Sequence, residues 1–94
     1  MTIEAFVTLI TSVESVLDDR RVRYGKFERE GDYIHFHKEG SGFLKLYLKD
    51  LYRAYEETQV MNKLGMSLFV PKEFASMAFE LFKAAGIYDE RGYR

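Results

Sequence analysis

The 94-residue chain has no cysteine and only one proline. Without cysteine there is no disulfide framework, no thiolate zinc site and no cysteine nucleophile. It also lacks internal repeats, low-complexity tracts and any linker rich in proline and glycine. No charge of one sign dominates: 14 basic side chains stand against 15 acidic ones, for a net charge of −1. Whole-molecule attraction to nucleic acid or to an anionic membrane is therefore not expected. No apolar run approaches the ~18 residues of a membrane span. Glu4 interrupts the first apolar stretch and no basic leader precedes it, so the N-terminus does not read as a signal peptide. A cytoplasmic protein with no membrane association is expected.

With 47% hydrophobic and 31% charged residues, the composition is that of a globular protein. Residues 1–94 read as one small domain, able to bury roughly 60–70% of its unfolded surface without staples. Ile3, Phe6, Val7, Ile10, Val13, Val16 and Leu17 recur at three- and four-residue spacings. That stripe predicts an amphipathic helix ending near Asp18-Asp19, with Thr2 as N-cap and Glu4 suited to the first turn. The period then changes. Val22 to Arg29, Asp32 to Lys38 and Gly42 to Leu48 read as three strands of an antiparallel meander, with glycine-bearing turns between them. Ile34 and Phe36 share one face, and Tyr33, His35 and His37 the other. Likewise Leu44, Leu46 and Leu48 oppose Phe43, Lys45 and Tyr47, so the leucine face covers a core while the other stays wetter.

Asp50 is a candidate cap for a second helix running to about Leu64, with Leu51, Ala54, Tyr55, Met61 and Leu64 toward the core and Gly65 ending it. Met66 to Val70 reads as a short extended segment. Pro71 suits the start of a third helix whose apolar face is Phe74, Met77, Ala78, Leu81, Phe82 and Ala85. Ile87-Tyr88 adds a possible edge strand. The expected fold is α+β: an N-terminal helix, a three-stranded antiparallel meander and two C-terminal helices.

Chemistry-bearing constellations are few. His35 and His37, two apart on one strand face, can offer two imidazoles to a divalent metal, with Asp32, Glu28 or Glu39 as a third ligand. Without a third histidine or a cysteine the preferred reading is two solvent-face histidines, and no metal or cofactor is assigned. Gly40-Ser41-Gly42 lacks the lysine and helix of a phosphate loop and reads as a hairpin turn. No serine sits in a nucleophile elbow, and adjacent acids such as Glu56-Glu57 do not converge on one point. No catalytic residue is assigned and no enzyme is expected.

Charge is unevenly spread. Residues 1–19 hold four acids and no base, whereas Arg20, Arg21, Arg23, Lys26 and Arg29 face only Glu28 in the next ten. With Tyr24 and Phe27 interleaved, this stripe suits phosphate contact combined with base stacking. The favoured reading is that it protects an edge strand or neutralises Asp18 and Asp19. Seven tyrosines in so short a chain are hard to hide, because each hydroxyl wants a partner or water. Tyr33, Tyr47, Tyr52, Tyr88 and Tyr93 are expected to reach the surface, either as an interface or as a wet rim of the core.

Residues 51–94 resemble the C-terminal winged-helix domain of phage and plasmid primase-helicases. The resemblance rests on Leu51-Tyr52-Arg53-Ala54-Tyr55, on Pro71-Lys72-Glu73-Phe74 opening a second helix, and on Ala85-Gly86-Ile87 closing it. It implies that the second helix reads the major groove and that Tyr88 to Arg94 form wing material. That helix is expected to expose Lys72, Glu73, Ser76, Glu80 and Lys83, and the connection Gly65 to Val70 is apolar, as if buried. The leading expectation is a protein-binding or self-associating module acting through Tyr33, His35, His37 and Tyr47. Nucleic-acid binding through the basic strand or the winged-helix half is the alternative.

Overall fold

In the computed structural model, which describes all 94 residues, Thr2 caps the first helix, α1 (Ile3–Thr11), by accepting the Ala5 N–H at 3.1 Å. Phe6 and Ile10 are its buried residues. The helix stops two turns short of the expected end. At its close Thr11 and Ser12 donate their hydroxyls back to the Val7 and Leu9 carbonyls, bonds that loosen a last turn. Ser15–Leu17 then forms a strand, β1, paired antiparallel with β2 (Arg23–Glu30) through Val16↔Tyr24. The meander thus has four strands, not three, completed by β3 (Tyr33–Lys38) and β4 (Gly42–Tyr47) in the order β1-β2-β3-β4. The β2–β3 hairpin turns at Gly31-Asp32, where Gly31 holds φ at +60°, a conformation that favours glycine.

In β2 the register slips between Gly25 and Glu28. Lys26 takes φ +53° there. This bulge inserts one residue, so Tyr24 and Phe27, three apart, both point into the core. The inward side of the sheet packs as an aromatic layer: Phe36 meets Phe74 edge-on at 5.5 Å and Tyr24 at 5.9 Å. At the β1–β2 turn the Asp18 carboxylate accepts the Arg20 and Val22 N–H groups at 2.9 Å and the Tyr24 hydroxyl at 3.2 Å. Burial, reinforced by that carboxylate, pushes the Tyr24 hydroxyl from 10.0 up to about 12. The unfolded chain ionises first, so stability is complete below about pH 10 and falls as pH rises toward 12. The expected loss is on the order of 2–3 kcal/mol. Burial also raises Tyr88, which adds a loss of the same sign. Urea titrations at pH 9 and pH 12 measure the sum, and Tyr24→Phe should flatten it. An equally steep dependence in that variant would show that Tyr24 is not its source.

The helices cover only the inward side of the sheet. α2 (Leu48–Glu57) starts directly from β4, and its first residue donates its N–H to the Asp32 carbonyl at 2.8 Å. Asp50 therefore lies in the first turn and not at the cap, and Tyr47 occupies the cap position without a side-chain bond. The helix ends at Glu57, seven residues before the expected Leu64, because Thr58 turns extended at φ −133°. Val60 then bridges to Tyr93. A separate short helix, α3 (Lys63–Met66), is capped by Asn62, and Gly65 lies inside it. Leu64 is 78% exposed and not toward the core. Nor is the following stretch extended or wholly buried: it turns, burying Met66 and Val70 but leaving Leu68 82% exposed.

Pro71 precedes a 3₁₀ turn (Lys72–Phe74) that leads into α4 (Ala75–Ala84). Along α4, Ala75 through Ala78, Leu81 and Phe82 are buried, and this helix is the centre of the core. Ile87-Tyr88 is not a strand. Tyr88 is 2% exposed, against the expectation that it reaches the surface, and donates its hydroxyl to the Thr58 carbonyl at 2.7 Å. The result is a small α+β domain with one sheet face bare. No helix is long and apolar enough to cross a membrane.

Candidate functional site

The bare face follows from strand period and register. Residues alternating with the buried Ile34, Phe36 and Leu46 must point outward, and antiparallel pairing lines them up in rows. Tyr33 stands opposite Tyr47, His35 opposite Lys45 and His37 opposite Phe43. Gly25 extends the last row and Glu28 the middle one. The four expected partner-binding residues, Tyr33, His35, His37 and Tyr47, therefore come together on one surface. Tyr33 and Tyr47 lie 5.4 Å apart between ring centroids, and His37 meets Phe43 edge-on at 5.1 Å. The Lys45 ammonium sits 4.2 Å over the Tyr33 ring and that of Lys26 lies 5.8 Å from the Phe43 ring. Such cation–aromatic contacts are worth about 0.5–1 kcal/mol each at exposed sites. Against these cations the face carries Glu28 and Glu30, the latter 3.9 Å from His35. No group of three or more histidine, aspartate or glutamate side chains is placed to hold a metal ion.

Phe43 is the residue that composition-based reading misses. Counting phenylalanines as core hides it, yet it is 65% exposed, the most exposed aromatic ring of the chain. The signal was in the alternation, which already set it beside Lys45 and Tyr47 and against the leucines. The exposure of Leu64 and Leu68 had no such signal, since the stretch around them shows no sustained helical or alternating period.

The structure disperses the basic stretch. Arg23 and Lys26 are on the bare face, where Arg23 bonds the Ser15 hydroxyl at 2.8 Å. Arg20 and Arg21 belong to the β1–β2 turn, with Arg21 at φ +65°. Arg29 pairs with inward-facing Ile34 at the sheet margin and donates Nε–H to the Gly31 carbonyl. The interleaved rings, Tyr24 and Phe27, are buried and offer no stacking surface. In the other nucleic-acid element, α4 exposes only Ala84, with Ser76 buried and Glu80 and Lys83 half-buried. Ser76 instead accepts the Asp19 N–H at 2.8 Å. Lys63 bonds the Asp19 carboxylate and holds it below the usual carboxylate range. These contacts tie the β1–β2 turn to α3 and α4.

No protein-family model, curated protein or solved structure matches this chain. The reading of its function therefore rests on the surface just described.

Proposed function

We propose that this chain is a non-enzymatic, cytoplasmic binding module that engages a protein partner through the bare sheet face centred on Tyr33, Tyr47 and Phe43. The observation that supports it is the row structure of that face. Three aromatic rings and two histidines stand side by side on a rigid sheet, with no helix over them. Tyrosine and phenylalanine fixed in this way contribute contact area with little further loss of side-chain freedom, as at the anchors of protein interfaces. A nucleic-acid reading keeps Arg23 and Lys26 on the same face but loses the stacking rings of β2, which are buried.

The test is comparative capture from cell extract by the immobilised chain and by its Tyr33→Ala and Tyr47→Ala variants. The expected result is a partner whose affinity falls about tenfold or more in each variant. Thermal stability should stay within about 1 kcal/mol, since both rings stand outside the core. Equal capture by wild type and variants overturns the reading. So does loss of capture on nuclease treatment of the extract, which would move the face to nucleic acid.

A further inference from the structure

We propose that the open edge of β4 takes up an extended acidic peptide as a fifth strand of the sheet. This rests on the binding reading above and specifies the partner's chemistry. β4 is the last strand of the order β1-β2-β3-β4. Its hydrogen-bonding phase is set where the Leu48 N–H donates to the Asp32 carbonyl at 2.8 Å. Counting back by twos, Leu46, Leu44 and Gly42 turn their backbone groups toward β3, opposite Ile34, Phe36 and Lys38. The N–H and C=O of Phe43 and Lys45, and the N–H of Tyr47, consequently point away from the sheet. No turn, loop or side-chain hydrogen bond engages them. Five backbone groups in extended geometry form a template for strand addition.

Charge selects the occupant. From Ser41 through Lys49 there is no acidic residue, while Lys45 and Lys49 are present. Neither lysine, nor Lys26 beside Phe43, takes part in any of the ion pairs of the molecule. Lys45 instead lies over the Tyr33 ring of the neighbouring β3, an exposed contact worth about 0.5–1 kcal/mol, so its ammonium has no carboxylate partner and can swing to one at the edge. A second copy of the chain fits this edge poorly. Antiparallel self-pairing that sets Phe43 against Tyr47 places Lys45 directly opposite its own copy, and like charges so placed destabilise a ladder. A strand alternating glutamate with an apolar residue puts a carboxylate opposite Lys45 and its apolar side chains on the inward side, beside Leu44 and Leu46.

The probe is a labelled seven-residue peptide alternating glutamate with valine, beside a counterpart with lysine for glutamate. Anisotropy reads affinity and amide exchange reads the site. The expected result is binding of the glutamate peptide at least tenfold tighter than the lysine peptide, with slowed exchange at the Phe43, Lys45 and Tyr47 amides. Lys45→Pro removes an outward N–H together with the ammonium, a backbone change edge strands tolerate, and should abolish binding. Lys45→Glu keeps the backbone donor and should reverse the preference between the peptides, so the idea stays testable if the proline variant does not fold. Equal affinity for both peptides overturns the proposal, as does binding without protection of these amides. A dimer disrupted by Lys45→Pro, or a single-stranded oligonucleotide displacing the peptide, overturns it in favour of that occupant. Partner capture that depends on Tyr33 but not on Lys45→Pro leaves the face reading standing and removes the edge. Capture insensitive to Tyr33 removes the face.

Discussion

Phe82→Ala should destabilise the domain by about 3–5 kcal/mol. Phe82 is fully buried on α4, meets Phe6 edge-on at 5.5 Å and stacks on Tyr88 at 5.8 Å. It therefore joins α1, α4 and the C-terminal segment, three parts of the chain that share no backbone hydrogen-bonded ladder. Removing the ring leaves a void bounded by other rings, which collapse less readily than flexible aliphatic chains. Total stability for a domain of this size is about 5–15 kcal/mol. The loss should lower the melting temperature by roughly 15–30 °C. Phe43→Ala is the matched control: the same atoms removed from an exposed position should change stability by about 0.5 kcal/mol or less. Calorimetry of both variants decides the matter. A Phe43→Ala loss comparable to that of Phe82→Ala would show that the sheet face is covered in solution.

Gly92→Ala should cost about 2–4 kcal/mol, far more than a glycine-to-alanine change at a surface turn. The Gly92 N–H donates to the Asp89 carbonyl, and its own carbonyl accepts the Met61 N–H at 2.8 Å. The residue holds φ +87°, and a Cβ there would lie 2.1 Å from the Met61 carbonyl oxygen. Two penalties add: the left-handed conformation, and a contact with backbone that cannot swing aside. Relief requires the segment from Asp89 to Arg94 to lift from the connection between α2 and α3, breaking the Val60–Tyr93 bridge and the Arg94 N–H bond to Gln59. Gly31→Ala meets open space at φ +60° and should cost only about 1–2 kcal/mol. Urea titrations separate the two, and faster amide exchange at Met61 and Arg94 in Gly92→Ala locates the damage. Equal costs for both variants would mean that the C-terminal segment does not dock.

Three of the four strands were legible in the sequence: β3 and β4 by their alternation, and β2 by the β-branched Val22 and the aromatic Tyr24 and Phe27 ahead of the Gly31 turn. Ile34 and Phe36 against Tyr33, His35 and His37, and the leucines against Phe43, Lys45 and Tyr47, fall as expected. The same alternation made the bare face legible, including the exposed Phe43 that composition concealed. β1 was not. Val13, Val16 and Leu17 continue the helical spacing of α1, and three residues are too few to show a period of two. Ser15–Leu17 becomes a strand because β2 presents unpaired backbone groups beside it, a partner eight residues away along the chain. The burial of Tyr24 together with Phe27 likewise depends on the bulge at Lys26, which no local pattern announces.

Helix ends and the fate of isolated apolar residues followed the same rule. Thr2 acts where expected, since a cap is a property of one or two residues, whereas Pro71 stands before a 3₁₀ turn and α4 begins only at Ala75. The break of α2 at Thr58 and the burial of Tyr88 come from a segment some thirty residues downstream that pairs over the connection and accepts or donates bonds there. Leu64 lost its expected place in the core by that break, whereas Met61 kept its own and Met66 is also buried.

Local chemistry and period, carried by neighbours within about one turn or one strand, were enough to establish an α+β domain with one wet sheet face bearing Tyr33, His35, His37 and Tyr47. Which strand lies at the edge, which cations share a surface, and which tyrosine is buried were settled by pairing across the chain. A hydrogen bond or a packed ring depends on the residue opposite as much as on the residue itself.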